Sequence, residues 1–233
     1  MIRTLVDPVA SGVGNGTAAI GNFSRGVLTA SSLAAENERL KALAQTAAMY
    51  NERISEMEVR YNNLEALQNM APIGNKQKVF ARIIGVFPNE YRVSINIGTN
   101  SGIAPGMPVI AAAGGTEGAL LGIVQTCDRG KSQVQLVWSP PPFKIGAVVS
   151  RPPFAAGLLH GEDWNRLILE LGTDASVTNG DLVSTSGFSE KIPRGIPIGR
   201  VVQTTHDREF GVVRAQIFPN ITLGEVQEVI VLK

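Results

Sequence analysis

A single cysteine, Cys127, occurs in the chain, so no disulfide can close within it and neither a CxxC redox pair nor a cysteine-rich zinc site can be assembled. Histidine is almost as scarce. With only His160 and His206, a metal site would have to gather carboxylates from separate turns. Aromatic residues make up 6% of the chain, and 21 Lys plus Arg against 20 Asp plus Glu leave a formal charge of +1. Tight, salt-sensitive nucleic-acid binding needs clustered positive charge and stacking rings, and the sequence is short of both. The one local basic cluster, Lys76, Lys78 and Arg82, reads as a solvated entrance to a domain. No run of about 18 apolar residues is present, and the first residues lack the basic, apolar, small order of a signal peptide, so neither a transmembrane anchor nor a leader is read from the chain.

Motifs for catalysis are equally thin. Ser189 in GFSEK lacks the second glycine of a nucleophile elbow. Gly12-Val-Gly-Asn-Gly16 has neither the third-glycine spacing nor the preceding strand of a dinucleotide loop. His160 in GLLHGED and His206 in TTHDRE sit in stretches that read as turns. The expectation is therefore no catalytic, cofactor-binding or metal-binding residue and no enzyme activity.

What the chain does hold is a 44% hydrophobic composition, enough for a packed core over one to three domains. Residues 1–32 form a Gly-rich segment in which Leu5, Val9, Val13, Gly16, Ile20, Phe23 and Val27 recur at helical spacing with few charges. Its glycines each cost a helix up to about 1 kcal/mol relative to Ala, so the segment reads as disordered until it docks on a membrane surface or a partner.

Between Leu33 and Met70 glycine disappears and Ala, Glu, Leu and Arg dominate, which predicts a helix over 33–70. Its heptad positions a and d read Leu40, Leu43, Ala47, Tyr50, Ile54, Met57, Tyr61 and Leu64. A helix folded into a core usually shows a wider apolar face, so the stripe favours a two-helix seam with a second copy of the chain as the simplest partner, the competing reading being an amphipathic helix folded onto its own barrels. Ala71-Pro72-Ile73-Gly74 is expected to end it.

Beyond this point the pattern is β. Candidate strands are Val79 to Val86, Arg92 to Ile97, Met107 to Ala111, Ala119 to Thr126, Gln133 to Val137, Ile145 to Arg151, Arg166 to Leu171, Asp181 to Thr185, Ile198 to Thr204, Val212 to Phe218 and Glu228 to Leu232. An internal repeat organises them. Shifted by 74 positions, RVSINIGTNSGIAPGMPV from Arg92 faces RLILELGTDASVTNGDLV from Arg166 without a gap. Pro105-Gly106 suits a type II turn and Asn179-Gly180 a type I′ hairpin turn. The prolines of Trp138-Ser-Pro-Pro-Pro-Phe143 exclude that run from a sheet and mark the passage between two units.

The fold class is thus mainly β, an N-terminal long coiled-coil helix followed by two small β-barrel domains, over 75–138 and 144–233. Whether the last strand closes the second barrel or returns to the first is left open by the sequence. Exposed strand edges and apolar residues, with Phe143, Phe154 and Trp164 as candidates, would form a partner surface, burial in a barrel core being the competing role.

Several segments together resemble one known family. They are Ala35-Glu-Asn-Glu-Arg-Leu40 opening the helix, Asn96 to Val109, Leu121-Gly-Ile-Val124, Gly157-Leu-Leu-His-Gly161 and, most specific, TSGFSEKIPRGIPIGRV from Thr185. They are similar to the rod shape-determining protein MreC family. The resemblance implies a non-catalytic scaffold of the bacterial cell-elongation machinery that organises peptidoglycan synthesis and maintains rod shape. It further implies the periplasmic face of the inner membrane, self-assembly as a homodimer or larger, and contact with MreB, MreD, RodA and a class B penicillin-binding protein. From other classes, a coiled coil with oligonucleotide-binding-like barrels would bind nucleic acid, and two barrels carrying scattered Ser, Asp and His could make a hydrolase. Balanced charge and few aromatics speak against the first, and the missing nucleophile pattern against the second.

Overall fold

The computed structural model describes residues 14–69, 76–112, 118–164, 166–207 and 211–233, with side chains from Glu36 onward. One helix, α1 (Gly14–Asn69), precedes twelve strands. They are β1 (Lys78–Phe87), β2 (Arg92–Ile95), β3 (Pro108–Ala111), β4 (Ala119–Cys127), β5 (Ser132–Leu136), β6 (Ile145–Val149), β7 (Ala156–Asp163), β8 (Arg166–Gly172), β9 (Leu182–Thr185), β10 (Pro197–Asp207), β11 (Val212–Pro219) and β12 (Glu228–Leu232). The helix up to Met57 forms one compact unit, and its last turns together with all the strands form another.

The helix starts earlier than composition suggests. Its glycines weaken propensity, but each residue added to an existing helix gains one hydrogen bond without a new nucleation cost, so α1 extends back to Gly14 through the Gly-rich segment. The preceding thirteen residues, and the expected Pro-Gly stop at 71–74, lie outside the described residues.

All strands are antiparallel and close into two six-stranded barrels, ordered β1-β12-β3-β4-β5-β2 and β10-β11-β8-β7-β6-β9. Period-two patterning does the sorting. Along β8 the residues Leu167, Leu169 and Leu171 are buried while Arg166, Ile168 and Glu170 turn away from the core. The first core gathers Val93, Ile95, Val109, Val134, Val229 and Val231. The second holds Ala147, Leu159, Leu167, Leu169, Ala215 and Ile217.

Three expectations change, and the place of the last strand, left open by the sequence, can be described. The last strand lies in the first barrel, hydrogen-bonded between β1 and β3, so the segment 75–138 does not close by itself, whereas β6 to β11 close the second barrel within 144–233. The stretch around His160 is a strand, β7, not a turn. It fits because Gly157 and Gly161 lie where a Cβ would collide with the Glu170 and Trp138 carbonyl oxygens. His206 likewise lies near the end of β10. Asn179-Gly180 makes the same turn as Pro105-Gly106: each glycine has φ of +90° while Asn179 is not in the left-handed region a type I′ turn requires. The closing hydrogen bonds match too, Met107 N–H to the Ala104 carbonyl at 3.4 Å and Asp181 N–H to the Thr178 carbonyl at 3.2 Å. Finally, closed barrels have no free edges, so strand edges offer no docking surface.

Candidate functional site

The helix presents two different faces. Leu40, Leu43, Ala47, Tyr50, Ile54, Met57, Tyr61 and Leu64 are all exposed in the single chain, Leu43 at 56% and Ile54 at 53% of their surface. An apolar stripe of this length left in water marks a binding surface. About a quarter turn around the helix at 100° per residue, Arg60, Asn63 and Leu67 face the first barrel instead. Leu67 is fully buried and Asn63 nearly so. The Lys78 ammonium on β1 donates to the Leu67 and Gln68 carbonyls at 3.5 and 3.4 Å, capping the end of the helix. Arg60 donates to the Gln227 side chain and lies 3.5 Å from Glu228. The faces are separate, so seating the helix end on its own barrel leaves the heptad stripe bare.

Two apolar patches lie on the barrels. On β1, Phe80, Ile84, Val86 and Phe87 are exposed along the outer surface. On the second barrel, the TSGFSEKIPRG segment forms a loop tied at its base by Thr185. The Thr185 hydroxyl donates to the Pro193 carbonyl at 2.6 Å and accepts from Ile196 N–H at 3.0 Å. Gly187 and Gly195 take positive φ of 77° and 95°, which lets the loop turn sharply. At its tip Phe188 is 79% exposed, lining a shallow depression with Leu158, Gly146 and Ile192. From the same loop the Lys191 ammonium donates to the Pro105 carbonyl of the first barrel at 2.7 Å.

Phe143, Phe154 and Trp164 have different neighbours and form no common patch. Trp164 stacks on Tyr91 with ring centroids 4.8 Å apart and lies 6.0 Å from Trp138, which places it in the contact between barrels. Phe143 is partly buried against the core. Phe154 is exposed, with the Arg194 guanidinium 5.2 Å over its ring. Phe188 and the β1 row went unread in the sequence, where a lone aromatic carries no sign of its exposure; the only cue for Phe188 is its setting among Ser, Gly, Glu and Lys.

The carboxyl groups whose titration is shifted sit in structural pairs. Arg151 holds Asp181 in a two-pronged pair at 2.8 and 3.0 Å, and Asp181 also accepts from Thr178 N–H at 2.9 Å. The hydrogen bond from Arg151 holds the Asp181 carboxyl below its ordinary range, against the opposing pull of burial. Lys144 at 2.6 Å does the same to Glu170, helped by the charge of Arg214. His160 Nε2 is 3.7 Å from Glu170 and its Nδ1 is 3.1 Å from the Gly161 carbonyl. Among the described residues no nucleophile is hydrogen-bonded to this His–carboxylate contact. Among the described residues no group of three His, Cys, Asp or Glu side chains converges to hold a metal ion.

A helix with a bare heptad stripe, joined to two closed barrels that carry apolar patches, has the build of a structural protein. The chain belongs to the rod shape-determining protein MreC family, whose barrel-core model matches residues 83–233. It is 27% identical to the cell shape-determining protein MreC of Listeria monocytogenes over 215 residues, 89% of this chain and 71% of that protein. It is also 27% identical to that of Bacillus subtilis over 211 residues, 84% and 71% of the two chains. Among solved structures, MreC of Listeria monocytogenes aligns with a TM-score of 0.63 at 27% identity, over 85% of this chain and 95% of that one. The crystal structure of MreC from Pseudomonas aeruginosa aligns with a TM-score of 0.57 at 26% identity, over 67% and 99%. The chain is thus a structural, cell shape-determining protein of the bacterial envelope, and no helix among its described residues is long and apolar enough to cross a membrane.

Proposed function

We propose that the chain acts as a dimeric scaffold on the periplasmic face of the inner membrane, pairing through its heptad stripe and docking wall-building enzymes on its barrels. The observation that carries the reading is the exposed run from Leu40 to Leu64: every a and d position is apolar, and every one is left uncovered while the adjacent helix face is seated. A class B penicillin-binding protein is the partner the family resemblance suggests first, with RodA, MreD and MreB in the same assembly. Phe154, Phe188 and the β1 row are the surfaces it would use, because closed barrels can be gripped only by face and loop. Such docking activates an enzyme only to the extent that the barrels contact its active conformation better than its inactive one.

Light scattering tests the stripe and cell morphology tests the role. Leu43→Asp with Ile54→Asp should convert a dimer to a monomer without loss of barrel folding, and should fail to restore rod shape in cells depleted of the protein. A monomeric parent, or a double variant of unchanged mass, rules out the seam. Rod shape restored in full by a monomeric variant rules out pairing as the basis of function.

A further inference from the structure

The two barrels have the same wiring once their strands are matched by the repeat. Setting β2 on β8 and β3 on β9, as the 74-residue offset requires, sets β1 on β7, β4 on β10, β5 on β11 and β12 on β6. Every neighbour relation then carries over, because β1-β12-β3-β4-β5-β2 becomes β7-β6-β9-β10-β11-β8, which is the order of the second barrel. Details agree as well. Val109 pairs with Gly122 and Val183 with Gly199. A register shift between Val124 and Thr126 recurs between Val201 and Gln203. Gly106 N–H donates to the Val124 carbonyl at 2.8 Å, and Gly180 N–H to the Val201 carbonyl at 2.7 Å. Val231 stands opposite Val109, and Val149 opposite Val183.

Chain order breaks this symmetry in one respect. β6 follows β5 yet lies in the second barrel, and β12 follows β11 yet lies in the first. In the two repeats, β1–β6 and β7–β12, each sixth strand therefore fills the slot between the first and third strands of the other repeat. We propose that the chain is a strand-exchanged pair of six-stranded repeats fused end to end, and that this exchange clasps both barrels into one unit that resists being pulled apart. Neither sixth strand can leave without opening the barrel it completes. On β12, Val229, Ile230, Val231 and Leu232 are all buried, and on β6 so are Ile145, Ala147 and Val149. The inference stands on strand order and burial, whatever the partners of the barrels are.

Cutting the link between β6 and β7 tests the clasp. A specific protease site inserted between Pro153 and Phe154 of the full chain is cut under native conditions, and the product is run on a sizing column. Fragments 1–153 and 154–233 should elute together and unfold in a single urea transition. Two such cut complexes, one isotope-labelled, are then mixed: fragments should trade partners only as fast as the whole complex unfolds. Separation on the column, two transitions or faster trading would each overturn the clasp, since fragments held by surface packing alone part without unfolding. Should the insertion itself unfold the chain, hydrogen exchange on the unaltered protein decides. Amides of β6 and β12 opening together with the core of both barrels support the clasp, and one barrel opening well before the other overturns it.

Discussion

The guanidinium of Arg60 stands 3.5 Å from the carboxylate of Glu228, joining the last turns of α1 to the first residue of the last strand. Arg82 approaches the same carboxylate at 3.8 Å. The helix end, β1 and β12 thus share one charge cluster at the place where the chain returns to its first barrel.

Breaking that cluster should loosen the helix end and the closing strand together. Arg60 is partly exposed, so the loss on Arg60→Ala is set at the modest end, about 0.5–1 kcal/mol, or a few degrees in Tm. A double-mutant cycle with Glu228→Gln should show coupling of the same order. Additive effects would show that the two side chains are merely neighbours. Leu67→Ala, which empties a fully buried site, should cost more, about 2–4 kcal/mol by urea denaturation.

Two glycines should respond differently to the same substitution. A Cβ at Gly161 would be driven into the Trp138 backbone, where Gly161 N–H bonds the Ser139 carbonyl at 2.8 Å between the barrels. Gly161→Ala should therefore cost about 3 kcal/mol or more, or fail to fold. At Gly180 the surrounding space is open and only the positive φ opposes a side chain, so Gly180→Ala should cost about 1–2 kcal/mol. Thermal melts of the two variants check the ranking.

Acid should weaken the second barrel through Asp181 and Glu170. Both carboxyls are held below their ordinary values, by Arg151 and Lys144 respectively. A depressed carboxyl stabilises the fold fully above its unfolded value, near pH 4, and that contribution drains away as pH falls through the folded value. Asp181→Asn should lower Tm at neutral pH and flatten its fall as pH drops below about 4. The check is Tm against pH for parent and variant; parallel curves would show that the pair does not contribute.

Aromatic substitutions should separate surfaces from supports. Trp164→Ala removes the ring stacked on Tyr91 and should lower Tm by several degrees. Phe188→Ser and Phe154→Ser remove exposed rings and should leave stability within about 0.5 kcal/mol. Loss of enzyme capture with an unchanged melt is the expected signature at Phe188.

Local periodicity made much of the architecture legible. The alternation from Arg166 to Leu171 is a short-range pattern that packing reinforces, and the heptads from Leu40 to Leu64 are a short-range pattern that can be read from helical spacing alone. The destination of Glu228 to Leu232 was not legible, because a continuous apolar run fits any slot buried on both sides and pairing is chosen by distant residues. Strand β7 was hidden by its own glycines: in GLLHGED they resemble a turn, yet Gly157 and Gly161 are there because neighbouring backbone comes too close for a side chain. Of the candidate surface, the heptad stripe could be read from spacing, whereas the exposure of Phe188 and the use of Trp164 between barrels depend on tertiary contacts.

Because β12 completes the barrel that β1 begins, synthesis of this protein has a late checkpoint. While the ribosome still holds Glu228, the sheet begun at Lys78 has a vacant place between β1 and β3. A message cut short before the codons of β12 would release a chain with that seam unsealed, a natural target for chaperones and proteases. Only a polypeptide translated through Leu232 can leave with both barrels finished.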